Sequence, residues 1–362
     1  MIKDICHFFK TEKKYFWLLL AIFSFYAFFL FGSQSRNHHA KLLPSKEIVK
    51  FNQTEQKWDA EMSREQGFAE FARRQPRLAF LFEIMVLFFA GGFLVGCVID
   101  VLFLASASFR GRWESRSPPG DSPKTFSILL KVVILFVFWG IALSFLMGII
   151  ETVFPKGVSE NFFMILHTLI MNLVCFYFMI RFVKHSGGKW QDLGLSIPDS
   201  GLFREVWMGI VGYFSVLPVF LISLVILFVI ANMLHYEPPA HPIVNVFLEE
   251  EKRSPLLMVA SILLGTLIGP IFEEIFFRGL CYPILKNRWG KFWGMVLSAA
   301  FFAGIHYSGF VFWPIFILGI ALAYLYEKRR SLIAPMTFHV VNNTIFIFYF
   351  FLIKQVIGVK LP

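Results

Sequence analysis

Nine stretches of the sequence have the length and apolar character of membrane helices, and this feature constrains the fold more than any other. They cover approximately residues 15–32, 78–105, 126–150, 162–183, 205–234, 256–282, 292–307, 309–326 and 332–353. Several exceed the run of ~18 apolar residues that separates a membrane span from a buried helix of a soluble protein. Hydrophobic residues make up 57% of the 362 residues and charged residues only 16%, whereas soluble domains average about 45–50% and 25%. The chain is therefore predicted to be an all-α, polytopic bundle of about eight to nine transmembrane helices.

Basic residues predict how the helices are oriented. The net charge is +10, and most of the cations lie in short loops between the apolar stretches. With the N-terminus in the cytoplasm, the inside segments hold 18 Lys and Arg residues and the short outside segments hold five, in agreement with the positive-inside rule. The exception is the polar segment 33–77, with nine basic and six acidic residues, but long loops obey the rule weakly. No basic stripe with interleaved aromatic residues points to nucleic-acid binding.

Charged and polar residues occur inside three of the apolar stretches near the C-terminus. A charge at the bilayer centre costs at least ~2.5–3.5 kcal/mol, so each one indicates a functional or pairing role. Taken singly, a Glu–Arg pair, a histidine or an asparagine in a membrane helix is also explained by helix–helix contacts. Their coincidence on three helices favours a functional site instead. The residues are Glu273, Glu274 and Arg278 in the sixth stretch, His306 in the seventh, and His339 and Asn343 in the ninth.

Spacing separates these residues by role. Glu274 and Arg278 are four residues apart, so they share a helical face with the acid in the N-terminal position, which favours an ion pair. Glu273 is rotated about 100° from Glu274 and has no partner on its own helix. A carboxylate of this kind can take a proton from water, imidazoles can hold that water, and further donors can stabilise an oxyanion. Peptide-bond hydrolysis is therefore the predicted chemistry. The same ligand types also suit zinc or another divalent metal, with Glu273, His306 and His339 as the candidate ligands.

Three motifs resemble those of a known family of intramembrane proteases. Glu-Glu-x-x-x-Arg (Glu273 to Arg278), Phe-x-x-x-His (Phe302 to His306) and His-x-x-x-Asn (His339 to Asn343) occur in order within residues 250–350. This arrangement is similar to that of the CAAX-protease and bacteriocin-processing family, which includes the prenyl-protein CAAX endoprotease. Each motif alone is weak, but three in series, each in an apolar stretch, are specific.

The resemblance implies a role for each motif residue. Glu273 would activate the water with help from His306, and His339 with Asn343 would form the oxyanion hole. Glu274 and Arg278 would support the site or orient the substrate. Family members have been described both as glutamate-dependent and as metal-dependent. The sequence lacks a His-Glu-x-x-His zinc motif, so no obligatory cofactor is expected, although a divalent metal such as zinc stays open.

Domain organisation and setting follow from the same features. Residues 1–160, with the polar loop at 33–77, are predicted to be an N-terminal transmembrane extension, and residues 161–362 a CAAX-protease-like membrane core. We expect a multi-pass protein of the bacterial inner membrane with a cytoplasmic N-terminus; the endoplasmic reticulum membrane is the alternative. The expected partners are the lipid bilayer and a membrane-associated peptide or protein substrate, with no nucleic acid.

Two alternative functions belong to other classes. An ion-coupled transporter would also place Glu, His and Arg inside the membrane. Transporters, however, commonly contain inverted repeats with paired broken helices, and the sequence has one such break, at Gly269-Pro270. A catalytically silent scaffold or immunity-type protein would keep the protease fold without the activity.

Two further expectations depend on helix packing. By residue count, His306 lies about 21 Å along the seventh stretch, whereas Glu273 and His339 lie only about 10–14 Å from the cytoplasmic ends of theirs. The seventh stretch must therefore tilt, or begin below the membrane surface, for the three side chains to meet. In the N-terminal part, Asp100 and Lys131 are expected to pair across neighbouring helices.

Overall fold

The computed structural model describes residues 2–34, 46–62, 67–114, 125–153, 159–195, 201–236, 242–306 and 309–357. Every regular element in these ranges is helical, with no strand. The helices are α1 (Ile2–Thr11), α2 (Lys13–Gln34), α3 (Lys46–Met62), α4 (Gly67–Arg74), α5 (Pro76–Ala105), α6 (Ala107–Arg112), α7 (Phe126–Val153), α8 (Glu160–His185), α9 (Leu202–Met233), α10 (Pro242–Arg253), α11 (Pro255–Leu263), α12 (Gly269–Glu274), α13 (Tyr282–Gly304), α14 (Phe312–Arg329) and α15 (Ile333–Ile357). Two π-helical segments, Leu264–Ile268 and Ile275–Cys281, join α11, α12 and α13 without a break.

Seven helices in the described part of the chain are long and apolar enough to cross a membrane. They are Pro76–Ala105, Phe126–Val153, Glu160–His185, Leu202–Met233, Pro255–Gly304, Gly309–Arg329 and Ile333–Ile357. The first predicted stretch corresponds to α2, and the predicted sixth and seventh stretches are two arms of Pro255–Gly304. The protein is therefore an all-α, multi-pass membrane protein, as the sequence predicted.

The chain reverses direction at Gly290, inside α13. Gly290 has φ 81° and ψ 172°, a left-handed conformation that glycine adopts readily because it has no Cβ. The two arms then pack antiparallel: a Cβ on Gly294 would lie 2.8 Å from Cα of Lys286, and the rings of Phe277 and Phe302 are 5.1 Å apart. Both pairs are centred on residue 290.

This register resolves the depth difference between His306 and Glu273. Glu273 lies 17 residues before Gly290 and His306 lies 16 residues after it, so both are about 24–26 Å along their arms at ~1.5 Å per residue. The sixth predicted stretch ends near Gly290 and the seventh begins there. The start of the seventh stretch is therefore as far from the level of Glu273 as the end of the sixth. The two side chains are brought to one level, as the sequence analysis required.

The second arm, α13 beyond Gly290, forms another antiparallel hairpin with α14. A Cβ on Gly319 would lie only 2.9 Å from Cβ of Ala299, so the two helices are in near-backbone contact. The connecting residues Tyr307 and Ser308 lie outside the described ranges. The core cluster that includes Phe302 also contains Phe277 and Leu280. The second arm, which both hairpins share, therefore packs on the helix that carries the glutamates.

The N-terminal half packs directly on the C-terminal half. In α5, Gly92 and Gly96 lie against Leu217 and Pro218 of α9. The polar segment 33–77 contains α3 and α4, and Phe71 of α4 is buried with Leu352 and Val356 of α15. The predicted division at residue 160 stays a prediction.

The predicted Asp100–Lys131 pair is wrong. Asp100 Oδ1 accepts a hydrogen bond from Ser215 Oγ at 2.7 Å, and Lys131 forms an ion pair with Glu12. Asp100 lies on a helix that packs against α9, whereas Lys131 lies on α7 next to the N-terminal helices. Chain order placed the two helices side by side, but the bundle does not.

Candidate active site

The helix that carries the two glutamates is irregular on both sides of them. The π-helical segment Leu264–Ile268 precedes α12 and a second one, Ile275–Cys281, follows it. Pro270, at the start of α12, has no N–H to donate to the preceding turn. π-Helical turns in α-helices occur frequently at functional sites. This irregular backbone sets the directions of Glu273 and Glu274 relative to α15.

Glu274 is the buried centre of a polar network. Its side chain is 0% exposed, and Oε1 accepts hydrogen bonds from Nη1 of Arg278 at 2.8 Å and from Nδ1 of His339 at 2.9 Å. The contact with Arg278 is the ion pair that the spacing predicted. The contact with His339, on another helix, was not predicted and ties the first motif to the third.

Arg278 extends the network to α14. It is fully buried, its Nη2 donates to the backbone oxygen of Gly319 at 3.2 Å, and its Cζ lies 4.6 Å from the ring centroid of Phe302. Two buried atoms, Oε2 of Glu274 and Nε of Arg278, have no hydrogen-bond partner among the described residues. A buried polar atom of this kind leaves hydrogen-bonding capacity for water or for a substrate group.

Glu273 is the accessible carboxylate of the site. Its side chain is 34% exposed, and Oε2 lies 3.7 Å from Nε2 of His339. That separation exceeds a direct hydrogen bond. His339 therefore stands between two carboxylates, with Nδ1 bonded to the buried Glu274 and Nε2 facing the exposed Glu273.

His306 joins the site through Phe302. Its Nδ1 lies 2.7 Å from the backbone oxygen of Phe302, so Nδ1 carries the donated proton and Nε2 of the neutral ring is an acceptor. The ring of Phe302 contacts both histidines, with centroid distances of 4.8 Å to His306 and 5.6 Å to His339. In the described part of the chain His306 forms no hydrogen bond or ion pair with Glu273 or Glu274. Phe302, which the sequence offered only as a motif position, is the spacer that sets this arrangement.

Asn343 lies one turn beyond His339 on α15. Its Nδ2 donates to the backbone oxygen of Gly265 at 2.9 Å, in the π-helical segment before the glutamates. Its Oδ1 accepts from Nδ2 of Asn342 at 3.1 Å. An amide nitrogen carries two protons, so one N–H of Asn343 is used in holding the helix and the other can serve a ligand. Sequence analysis missed the contribution of Asn342, for which adjacency was the only signal.

The candidate metal ligands do not converge as a set. Glu273 and His339 approach each other, but no group of three or more His, Cys, Asp or Glu side chains in the described ranges is arranged to hold a metal ion. A catalytic zinc site needs three protein ligands. The geometry therefore gives no step that runs through a metal.

Comparisons with known proteins match the part of the chain that contains the candidate residues. The family model described as "Type II CAAX prenyl endopeptidase Rce1-like" matches residues 255–345, a range that contains all six candidate residues. The chain is 30% identical over 187 residues to the "UPF0177 protein YaiF" of Lactococcus lactis subsp. lactis (strain IL1403), a match that covers 50% of this chain and 76% of that protein. It is also 27% identical over 90 residues to the "Putative membrane peptidase YdiL" of Bacillus subtilis (strain 168), covering 25% of this chain and 35% of that protein. No solved structure matches the chain significantly.

Proposed function

Because the chain belongs to the Rce1-like family of CAAX-protease-type membrane proteases, we propose that it is an intramembrane endopeptidase that hydrolyses a peptide bond of a membrane-associated substrate. The observation that carries the proposal is the position of His339, with Nδ1 2.9 Å from Glu274 and Nε2 3.7 Å from the accessible Glu273. An unpaired carboxylate beside an oriented imidazole is the minimum machinery for water activation.

In the proposed reaction Glu273 is the general base. Its carboxylate takes a proton from water while the water oxygen bonds to the carbonyl carbon of the scissile peptide, giving a tetrahedral oxyanion. The C–N bond then breaks, and the proton held by Glu273 passes to the leaving nitrogen. The Nε2 of His306, an acceptor in the present tautomer, would help to hold the water.

His339 and Asn343 would stabilise the oxyanion. In this role His339 carries a proton on each ring nitrogen: Nδ1–H donates to Glu274, and Nε2–H donates to the developing negative charge. Asn343 offers the N–H that Gly265 does not use. Glu274 is thus a positioning residue, and Arg278 holds Glu274 in place while bonded to Gly319 of α14.

The proposal includes no obligatory metal. The donor geometry supports this, since the three candidate ligands Glu273, His306 and His339 do not form a ligand set in the described ranges.

The proposed substrate is a peptide or protein associated with the membrane. The relatives come from Lactococcus lactis and Bacillus subtilis, which supports the bacterial inner membrane as the location, and the distribution of Lys and Arg supports a cytoplasmic N-terminus.

The test compares membrane peptides in cells that express the wild-type protein or Glu273→Gln. We expect an uncut precursor to accumulate with Glu273→Gln and to disappear when the wild-type protein is restored. Glu83→Gln, which changes an exposed glutamate of α5 by the same chemistry, is the matched control and should process the precursor normally. If the purified Glu273→Gln protein cleaves the identified precursor at the wild-type rate, Glu273 is not the general base and the proposed mechanism fails. If the wild-type protein itself cleaves no membrane peptide, a silent scaffold or a transporter becomes the better explanation.

A further inference from the structure

A cluster of cations surrounds a cavity at the end of the bundle that contains the hinge at Gly290. The cavity has a volume of about 410 Å³ and is lined by Glu114, Lys291, Met295, Tyr324, Glu327, Lys328 and Arg330. It lies between the hinge and the C-terminal end of α14, far along the helices from Glu273. No residue of the proposed active site lines it.

The carboxylate of Glu327 is already satisfied at the base of this cavity. Lys286 Nζ lies 2.8 Å and 2.6 Å from its two oxygens, and the hydroxyl of Tyr282 donates to Oε2 at 2.9 Å. Lys291 and Arg330 reach only Oε1, the oxygen that Lys286 also uses, at the longer distances of 3.2 Å and 3.3 Å. With three and five N–H donors respectively, these two side chains retain donors for another anion.

The charge around the cavity is not balanced. Four cations, those of Lys286, Lys291, Lys328 and Arg330, face the two carboxylates of Glu327 and Glu114. Lys328 is neutralised by Glu114 at 2.8 Å, and this hydrogen bond holds the pKa of Glu114 below its ordinary value. The surplus of two positive charges therefore lies on the Lys291 and Arg330 side.

The neighbouring surface is that of a membrane interface. Phe292 and Trp293 follow Lys291 directly and are 69% and 55% exposed, and exposed aromatic residues are enriched at the level of the lipid headgroups. Met295 adds an apolar wall to the cavity. If the anionic headgroup of a lipid entered the cavity from the bilayer, the acyl chains of that lipid would lie against these apolar side chains.

We propose that this cavity binds the headgroup phosphate of an anionic phospholipid. Lys291 and Arg330 donate to the phosphate oxygens, and Lys286 stays on Glu327. Basic pockets between membrane helices are known to select such headgroups. The shared chemistry is that of a phosphate anion, so a soluble phosphate is the competing source that the test must separate.

The test is native mass spectrometry of the full-length protein released from nanodiscs that contain phosphatidylglycerol and phosphatidylcholine. We expect the wild-type protein to retain phosphatidylglycerol selectively. Lys291→Gln/Arg330→Gln should bind it about 30-fold more weakly, the effect of removing two interfacial cations. Arg288→Gln, which removes a cation next to the hinge that does not line the cavity, should behave like the wild type.

A second variant and a second ligand keep the result decisive. Lys291 is 67% exposed, so Lys291→Gln alone carries little risk of misfolding and should show part of the loss. Equal retention of phosphatidylglycerol by the wild type, Lys291→Gln and the double variant would overturn the proposal. The melting temperature provides a second test. If inorganic phosphate raises the melting temperature of the protein in phosphatidylcholine nanodiscs as much as phosphatidylglycerol does, the proposal is overturned, because the site would then bind a soluble anion.

Discussion

The hydrogen bond between Glu274 and His339, 2.9 Å long, joins two membrane helices whose residues are 65 positions apart in the chain. It connects the first motif to the third inside the protein, away from solvent. Since the same Glu274 oxygen also accepts from Arg278, one buried oxygen binds both a guanidinium and an imidazole. We therefore expect Glu274 to be as important as Glu273, because Glu274 positions His339 and Arg278 whereas Glu273 faces the water.

Glu274→Gln should reduce both activity and stability. His339 loses the charged acceptor that holds its Nδ1 and directs Nε2 towards the reacting group, so we expect kcat to fall about 100-fold, as after loss of an oxyanion donor. Arg278 becomes an uncompensated buried charge, which costs about 3–5 kcal/mol. Peptide cleavage and the melting temperature measure the two effects separately.

The double variant Glu274→Leu/Arg278→Met separates the two effects. Replacing both charges with apolar residues should restore most of the lost stability but none of the activity. If activity returns together with the melting temperature, Glu274 has only a structural role.

His306→Gln should lose activity without losing stability. The amide can still donate to the backbone oxygen of Phe302, to which Nδ1 of His306 donates in the wild type. It has no ring nitrogen in the place of Nε2, which would hold the water. We expect a fall in kcat of about 100-fold or more, measured on the purified protein with a processed peptide. His167→Gln alters another histidine, hydrogen-bonded to Ser144 at 3.1 Å, and should remain fully active; full activity of His306→Gln would remove His306 from the mechanism.

Gly319→Leu should destabilise the hairpin that supports Arg278. Even a Cβ at this position would lie 2.9 Å from Cβ of Ala299, so a larger side chain forces α13 and α14 apart, at a cost of about 1–3 kcal/mol or more. The backbone oxygen that Arg278 uses moves with them, and thermal unfolding and cleavage should both show the loss. Gly304→Leu, where an added Cβ meets nothing within 4 Å, is the control, and an equal effect of the two substitutions would argue against this packing.

Chelators should leave cleavage unchanged. Incubation of the purified protein with 1,10-phenanthroline or EDTA, followed by dialysis, is expected to preserve kcat because the proposed reaction activates water with the carboxylate of Glu273 and needs no metal. Loss of activity that zinc restores stoichiometrically would contradict this, and the metal content of the active protein would then identify the ion.

The proposed orientation can be tested by labelling single cysteines in intact cells. In a background with the four natural cysteines replaced by alanine, Arg288→Cys should react with a membrane-impermeant maleimide only after permeabilisation. Glu251→Cys, at the opposite end of the bundle, should react in intact cells. The reverse pattern would place the N-terminus outside.

The sequence predicted the helices and the Glu274–Arg278 ion pair because these signals are local. Apolar runs define the spans, and a spacing of four residues puts Glu274 beside Arg278 whatever the surrounding fold. Contacts between helices depend on rotation and tilt, which no single stretch encodes. For this reason the bond from Glu274 to His339 and the hydrogen bond from Ser215 to Asp100 were missed, and the expected partner of Asp100 was wrong.

Gly290 divides the segment from Glu273 to His306 into two arms of nearly equal length, 17 and 16 residues, and this limits the insertions that the segment can accept. One residue added between Glu273 and Gly290, or between Gly290 and His306, would shift one side of the site by ~1.5 Å and turn it by about 100° relative to the other. Length changes in this stretch should therefore survive only in matched pairs, one on each side of the glycine.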